Sequence, residues 1–192
     1  MPPHSQTIKV LGFAGSLRAK SFNKALLAAA GRSMPEGMIL ETFDLAPIPL
    51  FNEDVREQGF PLAVEALRQK IAAADAVLIA MPEYNFSIAG VLKNTIDWVS
   101  RPPEQPFKDK PVAIMGATVG VWGTIRGQYH LRQVLGCLDA HVLHKPEIMV
   151  AQANTKIDEE GRLKDQTALD LLKTQMAALK AWTLRLKGAP VA

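Results

Sequence analysis

The chain has 192 residues, of which 48% are hydrophobic and 6% aromatic, a composition typical of globular proteins. That length suits one α/β domain rather than two independent cores, so we expect residues 1–192 to form a single domain. The net charge is +3 and the pI about 9.0, but basic residues are scattered among acidic ones, which argues against nucleic-acid binding.

Membrane insertion and export are not indicated by the sequence. No apolar run approaches the roughly 18 residues that a membrane span requires. Residues 1–7 are polar and lack the apolar core of a signal peptide. The single cysteine, Cys137, excludes an internal disulfide framework. These features predict a cytoplasmic protein.

Four short apolar runs predict β-strands, at Ile8–Ala14, Met38–Phe43, Ala76–Ala80 and Val112–Met115. The first, third and fourth do not alternate polar with apolar residues, which is typical of strands buried on both faces of a parallel sheet. A fifth strand is expected within residues 140–150, where a proline interrupts the pattern.

Helical patterns separate these strands, with apolar residues three and four positions apart. They cover residues 25–33, 62–74, 91–99, 128–138 and 169–186. Regular alternation of strand and helix predicts an α/β fold, a parallel sheet doubly wound with helices. Five strands in one small domain suit the flavodoxin-like order 2-1-3-4-5, with a ligand at the carboxyl ends of the strands. The proline-rich segments 46–58 and 101–111 are expected to be irregular loops.

The loop after the first strand, residues 15–23, has the chemistry of an anion site. A strand-to-helix turn presents unpaired backbone N–H groups at the positive end of the helix. Ser16, Ser21 and Asn23 add short polar side chains, and Arg18 adds a planar charged group suited to phosphate oxygens. The alternative is that Ser21 or Asn23 only caps the helix. Neither Gly-x-Gly-x-x-Gly nor a Walker Gly-Lys-Ser/Thr sequence is present, which favours a mononucleotide such as FMN.

Two further loops follow the third and fourth predicted strands. Residues 81–90 carry Tyr84 and Phe86, and residues 116–124 carry three glycines and Trp122. A flavin ring needs apolar contact and N–H donors, and glycines let the backbone approach a ligand closely. Ordinary packing explains any one of these aromatic residues. Three such loops at successive strand ends nevertheless indicate one ligand site.

Together these loops resemble those of the bacterial NAD(P)H-dependent FMN reductase family, which includes enzymes described as chromate and quinone reductases. The resemblance extends over about residues 8–187. It rests on Gly15-Ser16-Leu17-Arg18 with Ser21 and Asn23, on Pro47 to Asp54, and on Pro82-Glu83-Tyr84-Asn85 with Leu92 to Trp98.

The resemblance implies a flavodoxin-like, FMN-binding domain that forms dimers or tetramers. It implies that the phosphate is held by Ser16, Arg18, Ser21 and Asn23. The ribityl chain and the ring would be held by two loop sets: Pro82, Glu83, Tyr84, Asn85, Phe86 and Ser87, and Thr118, Gly120, Trp122 and Gly123. The chain departs from the family pattern at Ala89, where proline is usual, and at Thr124, where a second glycine is common. Both departures bear on loop stiffness and on access to the ring.

The activity implied is transfer of hydride from NADPH or NADH, by a ping-pong cycle, to a quinone or another small oxidant such as chromate, an azo dye or free flavin. Because the flavin supplies the redox chemistry, no catalytic acid or base is predicted. One alternative is a flavodoxin-like electron carrier without NAD(P)H turnover, although such carriers are usually acidic. Another is a regulatory module that binds a phosphorylated metabolite.

Other polar residues are interpreted as structural. His141 and His144, near Cys137, match no zinc-ligand spacing, so no metal site is predicted. Cys137 is expected to be a buried thiol, because Val134 and Leu138 lie on the same apolar face. A further hypothesis is that Arg126, Tyr129 and Glu147 form a hydrogen-bonded network across a subunit interface near the flavin.

Overall fold

The structure is a computed structural model that describes residues 7–188. Its strands are β1 (Ile8–Ala14), β2 (Met38–Phe43), β3 (Ala76–Ala80), β4 (Glu83–Tyr84), β5 (Ser87–Ile88), β6 (Pro111–Ala117), β7 (His141–Val142) and β8 (Ile148–Val150). Its helices are α1 (Phe22–Arg32), α2 (Glu53–Glu57), α3 (Leu62–Ala73), α4 (Gly90–Val99), α5 (Ile125–Cys137), α6 (Ala153–Lys156) and α7 (Gln166–Leu186).

The main sheet is parallel, with strands in the order β2-β1-β3-β6. The fifth position is filled by two short strands that both pair with β6: β7 near its start and β8 near its end. Pro146 lies between them, and proline cannot donate a ladder hydrogen bond. The predicted flavodoxin-like order 2-1-3-4-5 is therefore confirmed, with a divided fifth strand.

Helices pack on both faces of this sheet and form two hydrophobic cores. In β3, Leu78 faces the core under α1 and α7, whereas Val77 and Ile79 face the core under α3, α4 and α5. Strands β1, β3 and β6 are almost wholly buried, which explains their unbroken apolar sequences. Within residues 7–188, no helix is both long enough and apolar enough to cross a membrane.

Several sequence expectations need correction. The segment 46–58 is not wholly irregular, because Asn52 caps the short helix α2 by accepting a hydrogen bond from the Asp54 N–H (2.9 Å). Residues 83–88 form an antiparallel hairpin, β4–β5, that periodicity did not predict. Cys137 is exposed rather than buried, because the inward face of α5 is formed by Leu131 and Leu135.

Candidate functional site

The loop between β1 and α1 lies at the carboxyl edge of the sheet. Ser21 caps α1 by accepting a hydrogen bond from the Lys24 N–H at 3.3 Å, which agrees with the capping alternative. Ser16 accepts one from the Arg18 N–H at 3.4 Å, and both serines are less than 10% exposed. The first turn of α1, residues 22–25, contains no acidic residue to offset its positive end. These hydroxyl and N–H groups fit a phosphate.

Arg18 is an exposed residue of this loop, with its guanidinium carbon 6.0 Å from the centre of the Phe22 ring. Asn23 differs from the prediction, since its side chain is almost fully buried and bonded to protein. Its Nδ2 donates to the Ala117 carbonyl (2.9 Å), and its Oδ1 accepts from the Ala117 N–H (3.0 Å). The phosphate contact that the family resemblance implies for Asn23 stays a prediction. Because the side chain is bonded to Ala117, the backbone N–H of Asn23 is the group that we expect to make this contact.

The second loop packs directly against the first. A Cβ atom added to Gly15 would lie 3.2 Å from Pro82 Cδ and 3.0 Å from Leu92 Cβ, so glycine is needed for this close approach. Asn85 and Phe86 turn the β4–β5 hairpin with φ of 51° and 63°, the positive values of a tight two-residue hairpin turn. This turn leaves Tyr84 and Phe86 more than half exposed at the outer edge of the three loops, which we call the rim.

Two side chains of the second loop are bonded to α5. The Glu83 carboxylate accepts from the Gly127 N–H (2.9 Å) and so caps the start of that helix. Ser87 Oγ lies 3.1 Å from Nδ1 of His130. The flavin contacts implied for Glu83 and Ser87 thus remain predictions, and these bonds favour the backbone of both residues as the contacting groups.

The third loop, residues 118–124, is anchored to β8 and α6. The Thr118 N–H donates to the Val150 carbonyl (3.0 Å), and the Gly120 carbonyl accepts from the Gln152 N–H (3.2 Å). Gly123 has a φ of 61° and lies against Met149. Between these anchors the side chains of the loop project outward: Val119, Val121 and Trp122 are each at least 60% exposed.

Thr124 lies inside the fold and does not border the rim. It is fully buried, and its Oγ1 accepts from Gln128 Nε2 at 2.9 Å. A Cβ atom on Gly116 would lie 2.0 Å from that oxygen, so this glycine makes room for Thr124 rather than for a ligand. Close approach to a ligand stays a prediction for Gly120 and Gly123, whereas packing against Thr124 accounts for the glycine at position 116.

Arg126 connects the second and third loops. Its guanidinium carbon lies 4.3 Å from the centre of the Phe86 ring and 5.7 Å from that of Trp122, within the range of cation–π attraction. Within the described chain, Glu147 instead pairs with Lys145 (2.7 Å) and, more distantly, with Arg132 (3.9 Å). The hypothesis of an Arg126–Tyr129–Glu147 network between subunits stays a prediction.

A fourth segment, residues 45–52, also lies at this edge. The family resemblance included most of it, but the sequence did not show what holds it in place. Asn94 accepts from the Phe51 N–H (2.7 Å) and donates to the Pro49 carbonyl (2.8 Å), to which Trp98 Nε1 also donates (2.9 Å). This anchoring leaves Leu50 86% exposed. The motif residues Asn94 and Trp98 therefore position a loop, which no spacing in the sequence revealed.

The geometry combines nearly buried hydroxyls at a helix start with exposed aromatic rings from neighbouring loops. Such a set can hold a phosphate at one end and a flat ring system at the other. Among residues 7–188, no group of three His, Cys, Asp or Glu side chains is placed to bind a metal ion. The fold is that of a flavodoxin-like protein, and the loops at the carboxyl edge of its sheet are the candidate mononucleotide site.

Comparison with known proteins identifies the family. The chain belongs to the NADPH-dependent FMN reductase family, whose sequence profile matches residues 8–155. An NAD(P)H-dependent FMN reductase from Pseudomonas aeruginosa is 56% identical over 184 residues, which cover 96% of this chain and 100% of that protein. A quinone reductase from Escherichia coli is 44% identical over 186 residues, covering 95% of this chain and 99% of that protein.

A solved structure agrees with this assignment. The flavoenzyme FerB, an NAD(P)H:(acceptor) oxidoreductase from Paracoccus denitrificans, is 28% identical with a TM-score of 0.84, covering 93% of this chain and 98% of that chain. The protein is therefore a flavin-dependent oxidoreductase that uses FMN as cofactor and NAD(P)H as co-substrate.

Proposed function

We propose that residues 1–192 act as a single FMN-binding domain that passes hydride from NAD(P)H to a quinone-like oxidant by a ping-pong cycle. The observation that supports this proposal is the packing of the three loops at one edge of the sheet, with the nearly buried hydroxyls of Ser16 and Ser21 in the first loop and exposed aromatic rings in the other two. The names of two relatives, an FMN reductase and a quinone reductase, support the same chemistry.

Each loop has a distinct part in the proposed site. Ser16, Ser21 and the backbone N–H groups at the start of α1 would bind the phosphate, with Arg18 pairing its charge. The ring and ribityl chain would contact the second loop, from Pro82 through Tyr84, Asn85 and Phe86, and the third loop at Thr118, Gly120, Trp122 and Gly123. When bound, the flavin supplies the ability to accept and return a hydride.

The protein contributes charge and an open binding face. The N-terminus of α1 and the guanidinium of Arg126 both place positive charge at this edge, which favours negative charge developing on a reduced ligand. A single exposed rim would serve first the nicotinamide and then the oxidant, which is why we infer a ping-pong cycle. The oxidants that fit such a rim are quinones and other small acceptors, including chromate, azo dyes and free flavin.

We further infer that the protein works in the cytoplasm and assembles as a dimer or tetramer. The single cysteine and the absence of any membrane-crossing helix within residues 7–188 are compatible with that compartment. Assembly is inferred from the exposed apolar side chains at the rim, since contiguous apolar surface commonly marks an interface.

The decisive experiment mixes FMN-loaded protein with NADPH or NADH under anaerobic conditions and follows the flavin absorbance band. Rapid bleaching, followed by recovery when a quinone is added, is the expected result. Initial rates measured against NAD(P)H concentration, at several fixed quinone concentrations, should give parallel double-reciprocal lines. Intersecting lines would contradict the ping-pong cycle, and failure to bleach with either nucleotide would contradict the proposed activity.

Bleaching also separates the proposal from the electron-carrier alternative. A carrier without NAD(P)H turnover should stay oxidised until a separate reductase is added. The pI of about 9.0 already disfavours a carrier that docks through acidic charge. The third alternative, a metabolite-binding module without flavin, does not agree with the family membership.

The phosphate contact can be tested with two matched arginine variants on α1 and its preceding loop. Arg18→Ala should weaken FMN binding by about tenfold, the usual effect of losing one charge-assisted hydrogen bond. Arg32→Ala removes the same charge at the other end of α1, where Arg32 is exposed, and should leave the affinity unchanged. Equal effects of the two variants would mean that Arg18 acts through overall charge and makes no direct contact.

A further inference from the structure

The Asn23 side chain forms a two-bond clamp on the end of the central strand β6. Asn23 is 3% exposed and is the second residue of α1, two positions after the cap Ser21. Its amide exchanges both hydrogen bonds with the backbone of Ala117, the last residue of β6, across 94 positions of sequence. Both bonds are short, at 2.9 and 3.0 Å.

This arrangement reproduces the pairing of a neighbouring strand. A residue in a parallel sheet directs its N–H and C=O to the same side, where one partner strand satisfies both. Strand β3 ends at Ala80, and its last pairing with β6 is to Met115, two residues before Ala117. The Asn23 amide therefore takes the place of a peptide group beyond the end of β3.

The clamp joins the two halves of the proposed FMN site. Ser21, on one side of Asn23, belongs to the phosphate loop, and Thr118, directly after Ala117, begins the third loop. A ligand that must bind at both ends gains affinity only if the two contact sets are held at a fixed separation. A hydrogen-bonded, buried clamp fixes that separation before the ligand arrives.

We propose that Asn23 is a positioning residue that sets the spacing between the phosphate loop and the ring-binding third loop, and is not a side-chain ligand of the phosphate. The proposal rests on the placement of FMN put forward above. It predicts that loss of the clamp weakens the binding of a flavin that has no phosphate.

Riboflavin, which has the ring and ribityl chain of FMN but no phosphate, provides the test. Asn23→Asp keeps the size and one acceptor, but its ionised carboxylate faces the Ala117 carbonyl instead of donating to it. Dissociation constants for riboflavin and FMN, measured by flavin fluorescence quenching, should both rise by about tenfold, the expected cost of breaking a buried bond. Arg18→Ala is the contrasting variant and should weaken FMN while leaving riboflavin binding unchanged.

A pH series adds a readout that general destabilisation would not produce. A protonated carboxyl can donate to the Ala117 carbonyl, and burial raises the pKa of a carboxyl group. The riboflavin affinity of Asn23→Asp should therefore recover as the pH is lowered from about 8 to about 5. The wild type, titrated over the same range, corrects for the other ionisable groups. Should Asn23→Asp fail to fold, Asn23→Ala removes the amide without adding charge and should also weaken the binding of both riboflavin and FMN.

The clamp itself can be observed without any ligand. Hydrogen exchange of the Ala117 amide should accelerate in Asn23→Ala, which removes the acceptor of that amide, while amides in the centre of β6 stay protected. Unchanged riboflavin affinity with weakened FMN binding would overturn the proposal, because Asn23 would then act on the phosphate. If wild-type protein bound neither flavin, the proposed site would fail, and the exchange result would still report on the clamp.

Discussion

Arg68 shows how a single buried side chain can organise a distant segment. It lies on α3, is 5% exposed, and its guanidinium donates to the carbonyls of Val99 (2.5 Å), Arg101 (2.8 Å) and Glu104 (3.1 Å). It also stacks 4.2 Å from the centre of the Phe60 ring. Burial lowers the pKa of Arg68, while Glu65 and Glu104 oppose that shift. Since Val99 ends α4, the guanidinium caps that helix and holds the loop after it.

We expect Arg68→Ala to lower the free energy of unfolding by about 3 kcal/mol, because buried carbonyls lose charged hydrogen-bond donors. Arg68→Lys should recover less than half of this loss, since one ammonium cannot reproduce a planar group with several donors. Urea unfolding followed by circular dichroism measures both values. The exposed Arg32→Ala serves as control, and a loss below that of the control would contradict the capping role.

Arg126 is the corresponding residue at the rim. Because it stacks between Phe86 and Trp122, Arg126→Ala should free the second loop from the third and raise the dissociation constant for riboflavin by about fivefold, given the usual worth of cation–π contacts. Arg126→Lys keeps the charge but loses planar stacking, and should fall in between. Fluorescence titration is the measurement. Unchanged binding, assembly and turnover in Arg126→Ala would contradict both this role and the network hypothesis.

At the scale of elements, the strands were the most predictable feature. Three of the four apolar runs coincide with β1, β2 and β3, and the fourth lies within β6. For β1, β3 and β6 the reason is burial on both faces, which leaves an uninterrupted apolar sequence, whereas the edge strand β2 is largely exposed and carries polar residues. The starts of α1 and α5 were predicted three residues too late: α1 begins at Phe22 and α5 at Ile125, since their first turns carry cap and loop residues without apolar periodicity. The predicted start of α3 at Leu62 was correct. The short helix α2 and the β4–β5 hairpin were predicted as loops for the same reason, because their residues show no apolar periodicity.

The sequence also identified the three loops of the proposed site but not the partner of each side chain. Asn23 and Glu83 have the composition of ligand-binding residues, yet their side chains bond to Ala117 and Gly127 of the protein itself. A polar side chain in a loop can bond either to a ligand or to the protein itself, and a partner distant in sequence decides between the two. Such partners lie 94 and 44 positions away in sequence, beyond the reach of local patterns.

The turn between α6 and α7 makes a pH-dependent contribution. Asp158 accepts hydrogen bonds from the N–H and the Nε of Arg162 (2.7 and 2.9 Å), and the backbone bond in particular lowers the pKa of Asp158 from 3.8 to about 2. A lowered pKa in the folded state means that the ionised form stabilises the turn. This contribution is complete above about pH 4 and is lost as the pH falls towards 2.

Asp158→Asn keeps an acceptor for the Arg162 N–H but removes the charge. The melting temperature of the variant should lie below that of wild type by a constant amount near neutral pH. The gap should narrow as the pH falls from about 4 to 2, where wild type also loses the charge. Calorimetry over that range is the measurement, with Glu159→Gln, which changes the adjacent exposed carboxylate, as control. A gap that stays constant down to pH 2 would contradict the assignment.

At the scale of the whole molecule, exposed apolar side chains are concentrated at the carboxyl edge. The rim set consists of Leu50, Phe86, Val119, Val121 and Trp122, which are 60% to 86% exposed. A single flat ring can contact one part of this rim, and an apolar surface that extends beyond a ligand commonly binds another protein. A second copy of the chain is the partner that the family resemblance implies.

We therefore expect the protein to sediment as a dimer or tetramer, and Val121→Lys to shift it towards the monomer, because a buried lysine without a partner opposes association. Ile39→Lys is the matched control: Ile39 is 53% exposed on β2, near the amino end of the sheet, and its change should leave assembly intact. Analytical ultracentrifugation over a range of protein concentrations distinguishes these outcomes. If both variants dissociate equally, association does not depend on the rim, and if wild type is monomeric at all concentrations, the rim serves ligands alone.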